Sequence, residues 1–265
     1  MTLEAGNAGF SYAAPVLTGV SARFEPGRVT VILGPNGCGK TTLLRLMLGL
    51  LKPHTGRCTL DGEPVCSMPP AMRAARLAYV PHRPEVGFSY TVRAFVSFAR
   101  AVSPGTPGTP GKTQAIEAAL ERMKLTELAD RPMATLSAGQ AQRASIARAL
   151  AQLSTGTASS SPRFLLADEP TAALDPRHIA QVSRTLTSLA EDGLGVVVVL
   201  HDLATACEIA DDALLLDARG RVHAQGPAGE VLTGQTLEAV FKIRFAAAVV
   251  EGRSVPMVSR EPTSI

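Results

Sequence analysis

The chain has no tryptophan, and aromatic residues make up only 4% of its 265 positions. A protein that holds single strands of nucleic acid by stacking needs aromatic platforms, so that mode of binding is excluded. Net charge is also scarce. Twenty-six Lys and Arg against 23 Asp and Glu leave +3, too little to argue for nucleic acid or anionic lipid as a partner. No apolar run approaches the roughly 18 to 20 residues that cross a bilayer. Residues 1–6 lack the basic and apolar regions of a signal peptide. The expectation is a cytosolic chain whose membrane role must come through a partner. Cys38, Cys58, Cys66 and Cys207 show no C-x-x-C spacing, which fits reduced thiols, and no Cys/His cluster is offered that could hold iron. What is present is globular: 46% hydrophobic and 18% charged residues. That length suits one large α/β domain, or one domain with a sub-domain.

Gly34-Pro35-Asn36-Gly37-Cys38-Gly39-Lys40-Thr41 fits G-x-x-x-x-G-K-[ST], a phosphate-binding loop. A strand-like run at 28–33 leads in, and a helix-like run that starts at Thr42 leads out. That context separates a nucleotide cradle from a chance match or a Gly-rich turn. Glycines allow positive φ and bring successive N–H groups against phosphate oxygens. The following helix aims its positive end at the same anion. Lys40 is placed to neutralise β- and γ-phosphates, and Thr41 to give its hydroxyl to Mg²⁺. The chain is therefore expected to bind a nucleoside triphosphate. Cys38, inside the loop, is read as a small spacer; the competing reading is a reactive thiol.

The remaining pattern alternates strands and helices. Residues 1–33 read as strands with turns, 57–62 as a strand and bend, and 69–77 as helix-prone. A strand at 77–80 stops at Pro81. From about 90 to 150 the spacing of Val92, Phe95, Val96 and Ala99 turns helical, with a second helix at about 112–123 and a third after Ser137. Pro/Gly/Thr-rich 103–111 and Ser/Thr-rich 153–162 read as loops. The run at 163–167, apolar after Arg163, and the wholly apolar run at 196–200 suit parallel strands buried on both faces. A final hairpin is expected around 218–220. The fold class is α/β: a phosphate-loop NTPase core with a mixed sheet, an N-terminal antiparallel β portion and an inserted helical sub-domain. Residues 1–265 form one domain, with the insert at about 85–155.

The second apolar run's counterpart, Phe164-Leu-Leu-Ala-Asp168-Glu169, ends in two acids. Its end lies beside the phosphate loop, where Asp168 can hold Mg²⁺ through water and Glu169 can polarise the water that attacks the γ-phosphate. The alternative, two solvated acids at a strand end, fits poorly after four apolar residues.

Taken with three further patterns, the chain resembles the ATP-binding subunit of ABC transporters along nearly its whole length. Leu136-Ser137-Ala138-Gly139-Gln140 is similar to the family signature, usually L-S-G-G-Q. Alone it is a capped helix start; between the phosphate loop and the acidic strand it implies an anion site that faces the γ-phosphate held by the opposite copy. By the same resemblance His201, in Leu200-His201-Asp202, is the switch histidine that senses the γ-phosphate. Ala173-Leu174-Asp175 matches the dimer-contact loop. Tyr12 stands where the family stacks an aromatic ring on adenine, a buried core tyrosine being the competing view.

Two departures stand out. The family has Gln where this chain has His82, a residue that helps coordinate Mg²⁺ and links the site to the membrane subunit. His82 is thus a candidate for Mg²⁺, and is expected to make hydrolysis sensitive to pH. Ala138 replaces Gly; a methyl there is tolerable if φ is negative.

The resemblance implies an ATPase that works as a pair of identical chains, each ATP sandwiched between the loop of one and the signature of the other. The cofactors are ATP and Mg²⁺. The pair docks on separate membrane permease subunits at the cytoplasmic face of the inner membrane, and serves, indirectly, an extracytoplasmic substrate-binding protein. No nucleic-acid partner is expected. Residues 86–98 are the expected docking surface, though their Phe and Val side chains also suit a core. The wording at 147–152, 199–203, 224–232 and 236–241 is closest to importers of haem, ferric siderophores and cobalamin. The rivals are a soluble ABC ATPase acting on nucleic acid or in translation, and a regulatory module without turnover, which Glu169 opposes.

Overall fold

Every residue of strand β3 (Val29–Leu33) is buried. Val29, Val31 and Leu33 enter one apolar cluster and Ile32 a second, on the opposite face. β7 (Phe164–Asp168) and β8 (Gly195–Val199) divide in the same way, Leu165 and Ala167 against Leu166, Val196 and Val198 against Val197. Strands covered on both faces need apolar residues at consecutive positions, which is why these runs do not alternate with polar ones.

The computed structural model describes residues 2–82, 90–100, 110–154, 163–172, 174–250 and 253–259. It places these three strands with β6 (Leu77–Val80), β9 (Asp212–Leu216) and β10 (Val222–Pro227) in a six-stranded sheet, order β10-β9-β3-β8-β7-β6. All neighbours are parallel except the β9–β10 hairpin, so the sheet is mixed as expected. An antiparallel sheet of β1 (Leu3–Ser11), β2 (Pro15–Phe24), β4 (Thr55–Leu60) and β5 (Glu63–Pro64) forms the N-terminal portion, order β2-β1-β4-β5.

Helix α1 (Lys40–Met47) joins these two layers: Leu43, Leu44, Leu46 and Met47 are buried in one cluster with residues of both sheets. The other face of the six-stranded sheet is covered by helices. α2 (Pro70–Arg76) precedes β6, and α3 (Val92–Ser97), α4 (Pro110–Arg122) and α5 (Ala138–Leu153) fall between β6 and β7 in the chain. α6 (Pro176–Glu191) and α7 (Leu203–Ile209) flank β8, and α8 (Ala228–Val231) and α9 (Gly234–Phe241) follow β10. A hairpin of β11 (Phe245–Val250) and β12 (Arg253–Val258) closes the described chain.

α4 begins at Pro110, two residues inside the stretch read as loop; proline suits the first turn of a helix, where its missing N–H costs nothing. Residues 101–109 and 155–162, covering the greater part of the two expected loops, lie outside the described residues, as do 83–89, which include 86–89 of the expected docking segment, and Ala173. Among the described residues no helix is long and apolar enough to cross a membrane.

Candidate functional site

Parallel strands end together. β3, β6, β7 and β8 run the same way, and Asp168 at the end of β7 lies in register with Val199 at the end of β8. The residues just past those four ends are Gly34, His82, Glu169 and His201, so the sheet gathers them at one edge.

The phosphate loop turns there into α1. Gly39, the N-cap of α1, has φ 98°, a left-handed backbone that a side chain would strain, and an added Cβ would meet Leu17 Cδ2 at 2.6 Å. No side chain caps this helix and no acid sits in its first turn, so its first N–H groups are left for an anion. Lys40 is 6% exposed and donates to the carbonyls of Gly34 (2.8 Å) and Pro35 (3.0 Å). Its ammonium is thereby held inside the loop.

A cavity of about 500 Å³ opens above the loop. Asn36, Gly37, Gly39, Lys40, Thr41 and Thr42 form its floor, and Glu169 and His201 face them. Tyr12 stands at its rim with Val16. Tyr12 is 56% exposed, so the structure sets aside the core reading; its ring meets Phe10 edge-on (4.9 Å, 79°), and His54 also stacks on Phe10, at 4.7 Å. Gly34, Pro35 and Cys38 belong to the loop but do not line the cavity. Cys38 is 2% exposed and burial pushes its thiol pKa up, against the nearby Lys40 charge. It is a spacer, not a reactive thiol.

Glu169 has φ 48°, an uncommon left-handed conformation for a residue with a side chain. Its N–H donates to Val199 O (3.1 Å) and its carbonyl accepts from Ala172 N (3.1 Å), which pins the turn. Backbone of this kind costs about 1–3 kcal/mol and persists where the surroundings over-determine it. The carboxylate stands between two imidazoles: His201 Nε2 is 2.5 Å from Oε1, and His82 Nδ1 is 3.2 Å from Oε2. His82 Nδ1 lies near Glu169 but is buried and makes no hydrogen bond, so the contact does not use up the ring nitrogen that the sequence had offered to a metal.

Asp168 is 4% exposed. Its Oδ2 accepts from the Tyr79 hydroxyl at 3.3 Å, and Oδ1 is buried with no hydrogen-bond partner. Burial, then the Asp168 charge, push the Tyr79 phenol up to about 12, so it stays a donor. A buried carboxylate oxygen without a partner suits a cation, and carboxylate and hydroxyl oxygens such as those of Asp168 and Thr41 are the hard donors that Mg²⁺ takes, although Asp168 does not itself line the cavity. Among the described residues no three His, Cys, Asp or Glu side chains come together as a metal group, so such an ion would keep positions for water and phosphate oxygens. Tyr79 and the His82–Glu169 contact were not foreseen from the sequence; Tyr79's one signal was its hydroxyl in an otherwise apolar strand.

The signature residues lie elsewhere. Ser137, Ala138, Gly139 and Gln140 do not line the cavity of their own chain, and neither does Asp175. Ser137 caps α5: its Oγ accepts from Gln140 N (3.3 Å), while Gln140 Oε1 accepts from Ser137 N (3.0 Å). Ala138 has no positive φ, so its methyl is tolerated as expected. Asp175 caps α6 through His178 N (3.0 Å) and bonds His178 Nδ1 (2.7 Å).

The family model described as ABC transporter matches residues 17–172. The hemin import ATP-binding protein HmuV of Rhizobium meliloti (strain 1021) is 37% identical over 92% of this chain and 92% of its own length. Among solved structures, a protein assigned to the metal-chelate type of ABC transporter, in an inward-facing conformation, matches with TM-score 0.78 and 30% identity over 97% of each chain. A dimeric bacterial ABC transporter cassette matches with TM-score 0.73 and 26% identity, over 85% of this chain and 98% of its own.

Proposed function

The chain belongs to the ABC transporter family as an ATP-hydrolysing subunit, and from that footing we propose that it energises import of an iron complex, haem in the first place, through separate membrane permease subunits. The observation that carries the ATPase geometry is the cavity in which Glu169 and His201 face the uncapped start of α1. The haem assignment is supported by near full-length similarity to HmuV, with a ferric siderophore as the neighbouring choice and cobalamin as the alternative.

In this reading the loop N–H groups and Lys40 bind the β- and γ-phosphates, and Tyr12 offers an open ring face to adenine. Thr41 and Asp168 would hold Mg²⁺, which supplies positive charge to the phosphate oxygens when bound. Glu169 orients the attacking water and takes its proton, and His201 holds the Glu169 carboxylate at the cavity mouth. His82 lies beside the second carboxylate oxygen without a hydrogen bond to it, which leaves its Nδ1 for a water on Mg²⁺. None of the signature residues reaches the cavity of its own chain, which supports a second copy that brings Ser137–Gln140 over the γ-phosphate and Asp175 to the contact between copies. The whole chain, 1–265, acts as one ATPase domain with the helical insert at about 85–155.

A second cavity, about 360 Å³, lies between the end of α1, α2 and α5. Leu50 (59% exposed) and Phe98 (44%) line it, and Met72 is exposed nearby. Apolar side chains left open beside Arg73 and Arg148 suit an amphipathic cytoplasmic helix of the permease. That docking keeps the chain peripheral, on the cytoplasmic face of the inner membrane, with an extracytoplasmic substrate-binding protein as an indirect partner. The test is reconstitution with the adjacent permease in liposomes. Haem uptake that needs ATP, and that Glu169→Gln removes, supports the reading; ATP hydrolysis with no uptake of haem, siderophore or cobalamin overturns it.

A further inference from the structure

A third cavity, about 790 Å³, opens where the C-terminal end of α4 and the start of α5 face α6. Lys124, Arg143, Arg177 and Arg184 line it with Arg122 and His178, and among the described residues no carboxylate does. Arg122 is already committed, to Asp192 Oδ2 (2.5 Å) and Ser188 Oγ (3.1 Å). His178 is likewise held by Asp175. Among the described residues, the side chains of Lys124, Arg177 and Arg184 make no hydrogen bond or ion pair.

Arg143 is the informative member. It is 9% exposed, and its Nη1 donates to the carbonyls of Met123 (2.9 Å) and Lys124 (3.3 Å). Its Nε is buried and has no partner. Among the described residues no carboxylate faces the guanidinium, and burial lowers its pKa, as expected of a charge removed from water without an opposite charge beside it. A buried, uncompensated guanidinium beside three free cations leaves a deficit that an anion would fill.

The lining also selects the class of anion. Guanidinium forks match phosphate oxygens two at a time. Among the described residues no ring but that of His178 lines the groove, so it offers a base or porphyrin little to stack on. Three cations without partners and the partly satisfied Arg143, spread from the turn after α4 to α6, suit a chain of phosphates better than one monoanion. We propose that this groove is a second anion site, distinct from the phosphate loop, which binds a condensed phosphate: inorganic polyphosphate or the phosphate tail of a nucleotide. This goes beyond the transport reading and does not depend on it. The occupant would lie against His178, whose ring packs on Gly139 of the signature turn.

The experiment uses the full chain with Lys40→Ala, which weakens phosphate binding at the loop. Inorganic tripolyphosphate and ATP are titrated in separately by calorimetry, then again into Lys40→Ala with Arg177→Gln and Arg184→Gln. Both arginines are exposed and partnerless, so the fold should survive their loss. The expected result is binding that the double replacement weakens at least about tenfold, since two charge-assisted contacts are removed. If tripolyphosphate alone behaves so, the source is free polyphosphate; if ATP does as well, it is the nucleotide tail. No binding of either probe, or binding that is unchanged by the arginine replacements, overturns the proposal. Failure of ATPase activity in the wild-type chain would leave these titrations untouched.

Discussion

His201 Nε2 lies 2.5 Å from Glu169 Oε1, although the two residues leave different strands of the sheet. The contact exists because β7 and β8 are parallel and in register, so the turn after each strand opens at the same edge. It holds the carboxylate at the cavity that Lys40 and Thr41 also line. Glu169→Gln keeps shape and hydrogen bonding but removes the proton acceptor. Phosphate release should fall by about 10²–10⁴-fold, the usual share of general base catalysis, while nucleotide binding persists. A filter-binding measurement beside a phosphate-release assay separates the two. Loss of both together would point to misfolding at the left-handed turn instead.

His82 touches the other oxygen of the same carboxylate, at 3.2 Å. His82→Ala leaves only His201 beside Glu169. Phosphate release should then fall by about tenfold, equivalent to about 1.4 kcal/mol in the barrier, while nucleotide binding persists. Phosphate release measured beside filter binding for both chains decides it; equal rates remove His82 from the chemistry.

The parts of this site that could be read from the sequence are those in which one local run specifies both the strand and the residue at its end. Gly34–Thr41, Asp168–Glu169 and His201 are of that kind: an apolar run predicts a buried parallel strand, and its exit residue inherits the sheet edge. The contacts that could not be read join residues from separate runs. Tyr79 meets Asp168, 89 positions away, only because β6 pairs with β7. His82 meets Glu169 for the same reason, and a pattern of residue types says nothing about which oxygen a ring will find. The closing hairpin was missed on different grounds. Phe245-Ala-Ala-Ala-Val-Val is alanine-rich, and alanine has little strand preference of its own; pairing with β12 supplies what local propensity does not.

Burial also makes a prediction for the thiols. Cys38 and Cys58 are 2% and 3% exposed, and burial raises both, Cys58 to about 12. A thiol whose folded pKa exceeds its unfolded value stays protonated, and stabilises the fold, below the unfolded pKa near 8.5. That contribution is lost as pH rises above this value toward the folded pKa. At pH 8, iodoacetamide should therefore label the exposed Cys66 and leave Cys38 and Cys58 unmodified until the chain is unfolded. Peptide mapping by mass spectrometry reads this directly. Rapid labelling of Cys38 in the folded chain would revive the reactive-thiol reading.

Gly139 invites an energetic test with a change of sign. It is buried under the ring of His178, and an added Cβ would meet Cδ2 at 2.6 Å and Cγ at 2.8 Å. In an unobstructed helix, Gly→Ala gains about 1 kcal/mol from backbone entropy and propensity. Overpacking costs about 1–3 kcal/mol, and the His178 ring cannot simply swing away because Asp175 holds its Nδ1 at 2.7 Å. In the wild-type chain, then, Gly139→Ala should be neutral to destabilising by about 2 kcal/mol. With His178→Ala beneath it, the obstruction is gone and the same methyl should stabilise by up to about 1 kcal/mol. Urea midpoints for the four chains give the coupling between the two positions. Equal effects in both backgrounds would show that the ring does not bear on the signature turn, and that α5 and α6 are not coupled through this pair.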